Sequence, residues 1–300
     1  MASVGDREAR LPTRDLGHVL VTGGGGQLAS DLGNVLEGAR VLSRSELDVT
    51  DDAAVAGALQ SLRPAVVFNC AAFHNVDLCE AEETSAFGVN FRAVKRLAER
   101  CADTGAKLVH LSTNYVFDGL REEPYAEDDT PSPRSAYAMS KLAGEHAALS
   151  YSPGSLVVRT AGLYGLHGSA SKGGNFIVRV LSRAREEGQV RMVADQRLTP
   201  TFTHDLAAGL VEAVHAGVEG LLHLTAAGEC SWYEFTLAVL ERAGLEVPVE
   251  PVPTIPRPGV ADRPLNGVLR SVVAAPAGLS PLRPWDEALN EYMTRAALVA

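Results

Sequence analysis

The fold is decided by residues 18–29, which read HVLVTGGGGQLA. A short apolar run ends in four glycines, Gly23 to Gly26, and residues with helical periodicity follow. Where a strand leads through such a loop into a helix, small residues allow a sharp turn, a close approach of the backbone to a pyrophosphate, and tight packing of helix on strand. The start of the helix adds free N–H groups for the anion. The stretch therefore favours a dinucleotide-binding loop over a purely structural glycine turn.

On both sides of this loop, short apolar runs alternate with segments of helical periodicity. Leu28, Leu32, Val35 and Leu36, for example, recur at helical spacing. Runs that are nearly apolar throughout are typical of strands buried on both faces of a parallel sheet. The alternation predicts an α/β fold with a Rossmann-like, doubly wound parallel sheet. The predicted strands are 18–22, 40–42, 66–71, 107–112, 156–160 and 221–225.

The composition of the chain changes after Tyr164. Residues 165–174 contain four glycines and two serines, which predicts a mobile loop, and residues 248–264 contain six prolines, which predicts irregular structure. We therefore expect the C-terminal third to be a smaller and looser unit that closes over a ligand.

The overall composition excludes several classes of protein. The 300 residues carry 27 Lys and Arg against 37 Asp and Glu, a net charge of −10 without a basic cluster, which argues against nucleic-acid binding. No apolar run approaches the roughly 18 residues of a membrane-spanning helix. Cysteines and histidines show no metal-ligand spacing, so no metal is predicted. Residues 1–16 lack the apolar core of a signal peptide, and we expect a disordered tail on a cytoplasmic protein.

The residues after the second apolar run bear on the choice of cofactor. In NAD-binding folds an acid near the end of the second strand binds the adenosine ribose, but here Ser43 and Arg44 occupy that place. Arg44 suits a 2′-phosphate through charge-assisted hydrogen bonds, which favours NADPH over NADH, although it also fits a solvated loop. Asp48 and Val49 are candidates for contact with the adenine.

A candidate catalytic pair lies on a predicted helix. Tyr137 and Lys141 are four residues apart, so the phenol and the ammonium share one helix face. We expect Lys141, together with the positive charge of an oxidised nicotinamide, to lower the pKa of Tyr137 from about 10 towards neutrality. Thr113 ends the fourth apolar run, where open α/β sheets bind ligands, and can hydrogen-bond a substrate carbonyl. The alternative is that Thr113 caps a turn and Tyr137 is half-buried packing.

Together these features resemble the extended short-chain dehydrogenase/reductase superfamily. Further motifs are most similar to those of the dTDP-4-dehydro-L-rhamnose reductases, and the similarity runs from about residue 18 to the C-terminus. The motifs are VFNCAAF at 67–73, Val76-Asp77, Glu80, Val89-Asn90, HLSTNYVFDG at 110–119, PYAEDD at 124–129, SKLAGE at 140–145, Asn175-Phe176, Asp195-Gln196, Pro200-Thr201 and Arg263-Pro264.

The resemblance implies reduction of the C4 ketone of a thymidine-diphosphate 6-deoxyhexose with NAD(P)H. Tyr137 would protonate the developing alkoxide, Lys141 would lower the tyrosine pKa and hold the nicotinamide ribose, and Thr113 would orient the carbonyl. The implied cofactor contacts are those of Gly23, Gly26, Gln27, Leu28, Ser43, Arg44, Asp48, Val49, Ala71, Ala72, Asn90, Tyr137 and Lys141. The implied substrate contacts are those of Val76, Thr113, Asn114, Tyr137, Gly162, Asn175 and Arg263.

The resemblance also implies a domain organisation and a set of partners. Residues 17–165 would form the dinucleotide-binding domain, to which 200–228 return, while 166–199 and 229–300 would form a smaller α/β domain for the nucleotide-sugar. We expect a dTDP-sugar as partner and neither nucleic acid nor membrane. The resemblance leaves a homodimer open. Some relatives bind Mg²⁺ through acidic residues at a dimer contact, but only Asp31 lies at a corresponding position, so the prediction of no metal stands.

Four positions around the expected sugar pocket depart from the family pattern. Asn114 stands where Asp is usual, Ala161-Gly162 replace Ser and an aromatic residue, and Phe73-His74 end a motif that often has a small hydroxyl residue there. Residues 166–174 are longer than usual. We therefore hypothesise a modified substrate, such as a branched or further deoxygenated dTDP-hexose of secondary metabolism, including antibiotic biosynthesis.

Three other functions share the fold. A nucleotide-sugar 4,6-dehydratase needs an acid pair after the catalytic Thr, and Asn114-Tyr115 supply none. A C4 epimerase needs no such pair and stays open. A non-catalytic regulatory subunit of the kind that binds methionine adenosyltransferase would have no need of the set Thr113, Tyr137 and Lys141.

Overall fold

The apolar runs of the sequence form a parallel sheet in the computed structural model, which describes residues 16–167, 174–257 and 259–299. The strands are β1 (Val19–Gly24), β2 (Arg40–Ser43), β3 (Val66–Asn69), β4 (Lys107–Thr113), β5 (Leu156–Thr160), β6 (Leu163–Tyr164), β7 (Val190–Val193), β8 (Arg197–Leu198), β9 (Thr201–Phe202), β10 (Gly220–His223), β11 (Cys230–Ser231) and β12 (Val249–Val252). Six of them form one sheet in the order β10-β5-β4-β3-β1-β2, and every pair is parallel. All six strands of this sheet were predicted.

Helices connect the strands. They are α1 (Gln27–Val35), α2 (Asp52–Leu62), α3 (Val76–Ala81), α4 (Glu83–Phe87), α5 (Val94–Thr104), α6 (Ala136–Tyr151), α7 (Phe176–Glu187), α8 (Thr203–His215), α9 (Trp232–Arg242) and α10 (Trp285–Arg295). A π-helical segment, Gly88–Ala93, joins α4 to α5, and a 3₁₀ turn, Asn114–Val116, follows β4.

Apolar side chains cover both faces of the sheet. On one face, Leu32 of α1 and Leu210 of α8 belong to the same core cluster as the strand residues. On the other face, Leu59 of α2, Leu97 of α5 and Ala148 of α6 belong to a second cluster. Helices on both faces of a parallel sheet confirm the predicted doubly wound α/β class. The carboxyl ends of the strands meet at one edge, which positions the site.

The C-terminal part has an aromatic core of its own. Tyr164 and Phe202 stack with ring centroids 5.6 Å apart, and Phe235 and Tyr292 pack against Tyr164. Short strands pair as β7 with β12, β8 with β11 and β6 with β9. The proline-rich segment 248–264 includes β12, so it is less irregular than predicted. Strand β10 lies in the large sheet beside β5; the domain boundaries themselves stay a prediction.

Two predictions concern residues that the structure does not describe in full. The predicted tail lies outside the described residues except for Leu16, which is buried in the core. Most of the predicted loop 165–174 also lies outside them, at 168–173. Among the described residues, none of the helices combines the length and the apolar character needed to span a bilayer. The cytoplasmic location stays a prediction.

Candidate active site

A cavity of about 330 Å³ opens at the carboxyl ends of the strands. The loops after β1 and β3, the end of β4, helix α6 and the turn after β5 form its walls. Its lining residues are Gly23, Gly26, Gln27, Leu28, Ala29, Cys70, Ala71, Ala72, His74, Val76, Leu111, Ser112, Thr113, Asn114, Tyr115, Tyr137, Lys141, Thr160, Ala161, Gly162 and Leu163. The glycine loop and all three predicted catalytic residues therefore face one space.

The glycine loop forms a cradle that a side chain would fill. Gly23 has a φ of +78°, and a Cβ there would lie 2.8 Å from the Ala71 nitrogen, so only glycine fits this turn. Gly26 precedes α1 and brings no side chain to cap the helix, which leaves its first N–H groups for an anion. Gln27 Oε1 is buried and has no hydrogen-bond partner among the described residues. A ligand in the cavity would supply one.

Tyr137 projects from α6 into the cavity beside Thr113. The two side chains share a hydrogen bond, and the Thr113 hydroxyl also accepts from the Tyr115 N–H at 3.2 Å. Burial raises the pKa of Tyr137 well above that of a free phenol, and the bond to Thr113 offsets only part of this. For the chain's own groups the pKa of Tyr137 is therefore raised rather than lowered, because desolvation of the phenolate dominates. The predicted lowering also included the charge of an oxidised nicotinamide and stays a prediction for the complex.

Lys141 lies one helical turn beyond Tyr137 and is almost fully buried. Its ammonium donates to the Leu111 carbonyl at 2.5 Å and lies 3.4 Å from His110 Nε2. Burial lowers the pKa of Lys141 to about 8, against smaller opposing effects of Glu145 and Cys70. The amine is therefore held at a fixed place in the wall of the cavity.

A second, larger cavity of about 750 Å³ adjoins the first, and Tyr115 lines both. Arginines converge on it from separate elements: Arg134, Arg191, Arg257 and Arg263. The rings of Phe176 and Trp232, with centroids 4.4 Å apart and planes tilted by 33°, form part of its wall. Three aspartates, Asp118, Asp195 and Asp262, also line it, and Arg134 and Arg191 pair with Asp262 and Glu250 at 3.1 and 3.0 Å. A cavity with four arginines and two aromatic rings can still receive an anionic ligand that carries a flat ring.

Comparison with known proteins identifies the family. The profile of the RmlD substrate binding domain matches residues 17–298. This chain belongs to the RmlD family. A dTDP-4-keto-6-deoxy-D-glucose reductase of Streptomyces niveus is 39% identical over 278 residues, 91% of this chain and 95% of the relative. The spore coat polysaccharide biosynthesis protein SpsK of Bacillus subtilis is 37% identical over 92% of this chain and 96% of its own length.

Solved structures of related proteins have the same fold as this RmlD-family chain. A dTDP-4-dehydrorhamnose reductase of Clostridium acetobutylicum superimposes with a TM-score of 0.87 at 36% identity, over 93% of this chain and 99% of its own. One of Bacillus anthracis, solved in complex with NADP, gives a TM-score of 0.87 at 31% identity, over 93% of this chain and 99% of its own. The predicted family and fold class are confirmed.

The structure of this RmlD-family chain places two predicted site residues away from both cavities. Asn90 is fully buried, and its amide bonds the backbone of Phe73 on both sides and the Ser140 hydroxyl. Asn175 caps α7 and donates to the Gly165 carbonyl and the Tyr292 hydroxyl. The protein's own partners use both amides, and the predicted cofactor contact of Asn90 and substrate contact of Asn175 stay predictions.

The predicted adenosine-binding residues lie at the end of β2, outside the lining of both cavities. Ser43 donates to Glu46 through its N–H and its hydroxyl. The Arg44 side chain is 83% exposed and contacts Asp48 at 3.3 Å. Hydrogen bonds from Thr50 lower the pKa of Asp48, and Val49 is buried. Because Ser43 is in register with Gly24, Arg44 lies near the glycine loop, where it can reach a ligand that extends from it.

Asp31, the acidic residue considered for Mg²⁺, is buried rather than exposed. It accepts from the Thr203 hydroxyl at 2.5 Å, and burial raises its pKa. Among the described residues, no group of three or more His, Cys, Asp or Glu side chains is placed to hold a metal ion.

Sequence reasoning missed several residues that line the two cavities. Thr160 lines the first cavity, and its hydroxyl is buried without a partner among the described residues. Of the four arginines around the second cavity, only Arg263 was predicted. It pairs with Asp77 at 2.8 Å and hydrogen-bonds Tyr115. The other arginines stand singly in unrelated segments, so no spacing in the sequence links them.

Proposed function

We propose that this RmlD-family chain reduces the C4 ketone of a dTDP-4-dehydro-6-deoxyhexose with NADPH. The prediction of a dTDP-4-keto-6-deoxyhexose reductase is confirmed by full-length relatives of that class, at about 39% identity. The observation that carries the proposal is the convergence of Thr113, Tyr137 and Lys141 on the cavity that begins at the glycine loop. A binding subunit without activity would not need this arrangement.

The residues of the first cavity fit a nicotinamide dinucleotide. The backbone cradle at Gly23 and the uncapped start of α1 suit a pyrophosphate. Gln27 Oε1 is a buried acceptor without a partner among the described residues, so it can accept a hydrogen bond from the cofactor. Arg44 suits the 2′-phosphate of the adenosine ribose. When bound, NADPH supplies the hydride for the ketone. The NADP-bound relative supports this cofactor.

Tyr137 then acts as the proton donor. Its phenol hydrogen passes to the carbonyl oxygen as charge develops there, while Thr113 orients the same oxygen. The raised pKa of Tyr137 keeps the phenol protonated at neutral pH, which is the form that a reduction requires. Lys141 holds the ribose and, as a nearby ammonium, favours the phenolate left behind.

The second cavity is proposed to hold the nucleotide part of the substrate. Arg257 would bind the diphosphate through charge-assisted hydrogen bonds, joined by Arg134 and Arg191 if they exchange their pairs with Asp262 and Glu250 for the ligand. The rings of Phe176 and Trp232 offer an apolar surface for the thymine. Tyr115 lines both cavities, so the sugar would pass beside it to reach Tyr137.

A modified sugar stays part of the proposal. Three of the four departures from the family pattern, at His74, Asn114 and Ala161-Gly162, line the first cavity beside Tyr137. A homodimer likewise stays a prediction.

Turnover of dTDP-4-dehydro-L-rhamnose, followed by the absorbance of NADPH, tests the reaction. We expect Tyr137→Phe to lower kcat by about 10²–10⁴-fold while NADPH still binds. Tyr151→Phe is the matched control, since Tyr151 lies at the exposed far end of the same helix, and it should leave kcat unchanged.

The outcomes separate the alternatives. Full activity of Tyr137→Phe would contradict the mechanism and favour a binding subunit. Interconversion of C4 epimers without net consumption of NADPH would indicate an epimerase. Full activity of the wild type on dTDP-4-dehydro-L-rhamnose would remove the need for a modified sugar. Calorimetric titration with dTDP, UDP and GDP would decide the nucleotide, and we expect binding of dTDP alone.

A further inference from the structure

A row of buried polar side chains crosses the sheet and ends at Lys141. Thr22 of β1, Asn69 of β3 and His110 of β4 are paired in register on neighbouring strands, so their side chains lie on one face of the sheet. Each of these residues and Lys141 is at most 2% exposed. Thr22, Asn69 and His110 line neither of the two cavities. Among the side-chain hydrogen bonds of this row, the one that reaches a cavity-lining residue is that between His110 and Lys141.

The hydrogen bonds of this row have a direction. The Thr22 hydroxyl donates to Asn69 Oδ1 at 2.7 Å, which leaves Asn69 Nδ2 facing His110 Nδ1 at 3.1 Å. An amide nitrogen only donates, so Nδ1 accepts, and the proton of a neutral imidazole then stands on Nε2. Burial, assisted by the charge of Lys141, holds the pKa of His110 well below its ordinary value, so the ring is neutral.

The protonated Nε2 points at the lysine. It lies 3.4 Å from Lys141 Nζ, and the ring lies beside Gly144, where an added Cβ would come 3.3 Å from Nε2. An N–H directed at an amine disfavours the ammonium form. The other titratable groups near Lys141 are Tyr137, one helical turn before it in the same cavity, Cys70, after β3, and Glu145, on the same helix. Glu145 is itself paired with Arg159 at 2.6 Å.

We propose that His110 is a positioning residue of the reductase, which acts through Lys141. Held in the Nε2–H form by Asn69 and Thr22, it presents a donor that only the neutral Lys141 amine can accept, and it therefore disfavours the ammonium form, which the Leu111 carbonyl holds in place. The inference rests on the proposed function, in which Lys141 holds the ribose and assists Tyr137.

Asn69→Asp tests this proposal, because it reverses the direction of the hydrogen bond between residue 69 and His110. A carboxylate cannot donate, so it accepts from His110 Nδ1–H and leaves a bare Nε2 facing the ammonium. The pKa of Lys141 should rise from about 8, and the alkaline limb of kcat/KM against pH should move upward by about one unit. NADPH binding should persist to higher pH in the same variant.

NMR of the histidine ring nitrogens gives a second readout, which needs neither cofactor nor substrate. We expect the Nε2–H form of His110 in the wild type, without titration near the ordinary histidine pKa, and the Nδ1–H form in Asn69→Asp. The His110 resonance is assigned by its loss in His110→Gln.

Thr22→Val is the second variant, in case Asn69→Asp does not fold. Without the Thr22 hydroxyl the Asn69 amide can rotate, and we expect a smaller shift of the alkaline limb in the same direction. Thr199→Val is the matched control. Thr199 is also a fully buried threonine whose hydroxyl makes one hydrogen bond, to the Gly228 carbonyl at 2.8 Å. Thr199→Val should lower the stability of the protein about as much as Thr22→Val does, and it should not shift the alkaline limb of kcat/KM against pH.

An unchanged alkaline limb in Asn69→Asp and Thr22→Val would overturn the proposal, as would the Nδ1–H form of His110 in the wild type. If the wild type reduces no dTDP-4-dehydro-hexose, the proposed function fails instead. The ring-nitrogen spectra would then still decide the state of His110.

Discussion

Tyr137 and Lys141 show how burial acts on two neighbouring groups of opposite charge. It disfavours both charged forms, so it raises the pKa of the phenol and lowers the pKa of the amine. The interaction between the two groups was predicted to decide the pKa of Tyr137, but the Lys141 amine is directed at the Leu111 carbonyl instead. A raised pKa of Tyr137 suits a reductase, because the phenol stays protonated until the oxygen of the substrate carbonyl becomes basic.

A matched pair of glycine variants tests the cradle at the residue scale. Gly23 and Gly25 both have positive φ, but a Cβ on Gly23 would lie 2.8 Å from the Ala71 nitrogen, whereas a Cβ on Gly25 meets nothing within 4 Å. Gly25→Ala should cost about 1–2 kcal/mol of backbone strain. Gly23→Ala should cost more and weaken NADPH binding at least about tenfold, since the loop must move.

The measurements are urea denaturation for stability and calorimetry for NADPH affinity. If both variants lost the same amount of stability and of NADPH affinity, left-handed backbone geometry alone would explain the two glycines. Gly23 would then have no special part in the cradle.

At the scale of elements, helix α6 is held close to the π-helical segment 88–93. A Cβ on Gly144 would overlap the Asn90 carbonyl oxygen. The Asn90 amide in turn fixes the backbone of Phe73, which lies between the cavity-lining residues Ala72 and His74. This close approach places Tyr137 and Lys141 at the strand ends, so Asn90 supports the site through the packing of α6.

Gly144→Ala is therefore expected to destabilise the protein by about 1–3 kcal/mol, although alanine normally favours a helix by about 1 kcal/mol over glycine. Gly57→Ala in α2 is the control, because a Cβ there meets nothing within 4 Å. It should stabilise by roughly 0.5–1 kcal/mol. Thermal or urea unfolding of the two variants provides the test, and a stabilised Gly144→Ala would contradict the packing argument.

At the scale of the whole molecule, the buried amine links stability to pH. Between the pKa of about 8 in the folded chain and the ordinary value of 10.5, the unfolded chain binds a proton at Lys141 that the folded chain does not. The contribution of Lys141 to the free energy of unfolding should thus rise with pH across this window, by at most about 3 kcal/mol, and stay constant below it.

Comparison with Lys141→Met isolates this contribution, since other groups cancel in the difference between the two proteins. Urea unfolding over the same pH range provides the measurement. A difference in stability that falls as pH rises would mean that the folded chain stabilises the ammonium instead.

The sequence by itself determined the sheet, the glycine loop and the pairing of Tyr137 with Lys141. These features depend on neighbours a few residues apart: apolar periodicity for strands and helices, small residues for a turn, and spacing of four for one helix face. Thr113 could be placed for the same reason, because parallel strands end at one edge.

Only the tertiary structure decided the sign of the pKa shifts, the roles of Asn90 and Asn175, the arginines of the second cavity and the row from Thr22 to Lys141. Each depends on side chains that are brought together from distant segments. Burial sums the contributions of every element packed around a group, and a hydrogen bond is fixed by whichever partner arrives within reach. Neither quantity is encoded in the local spacing of residues.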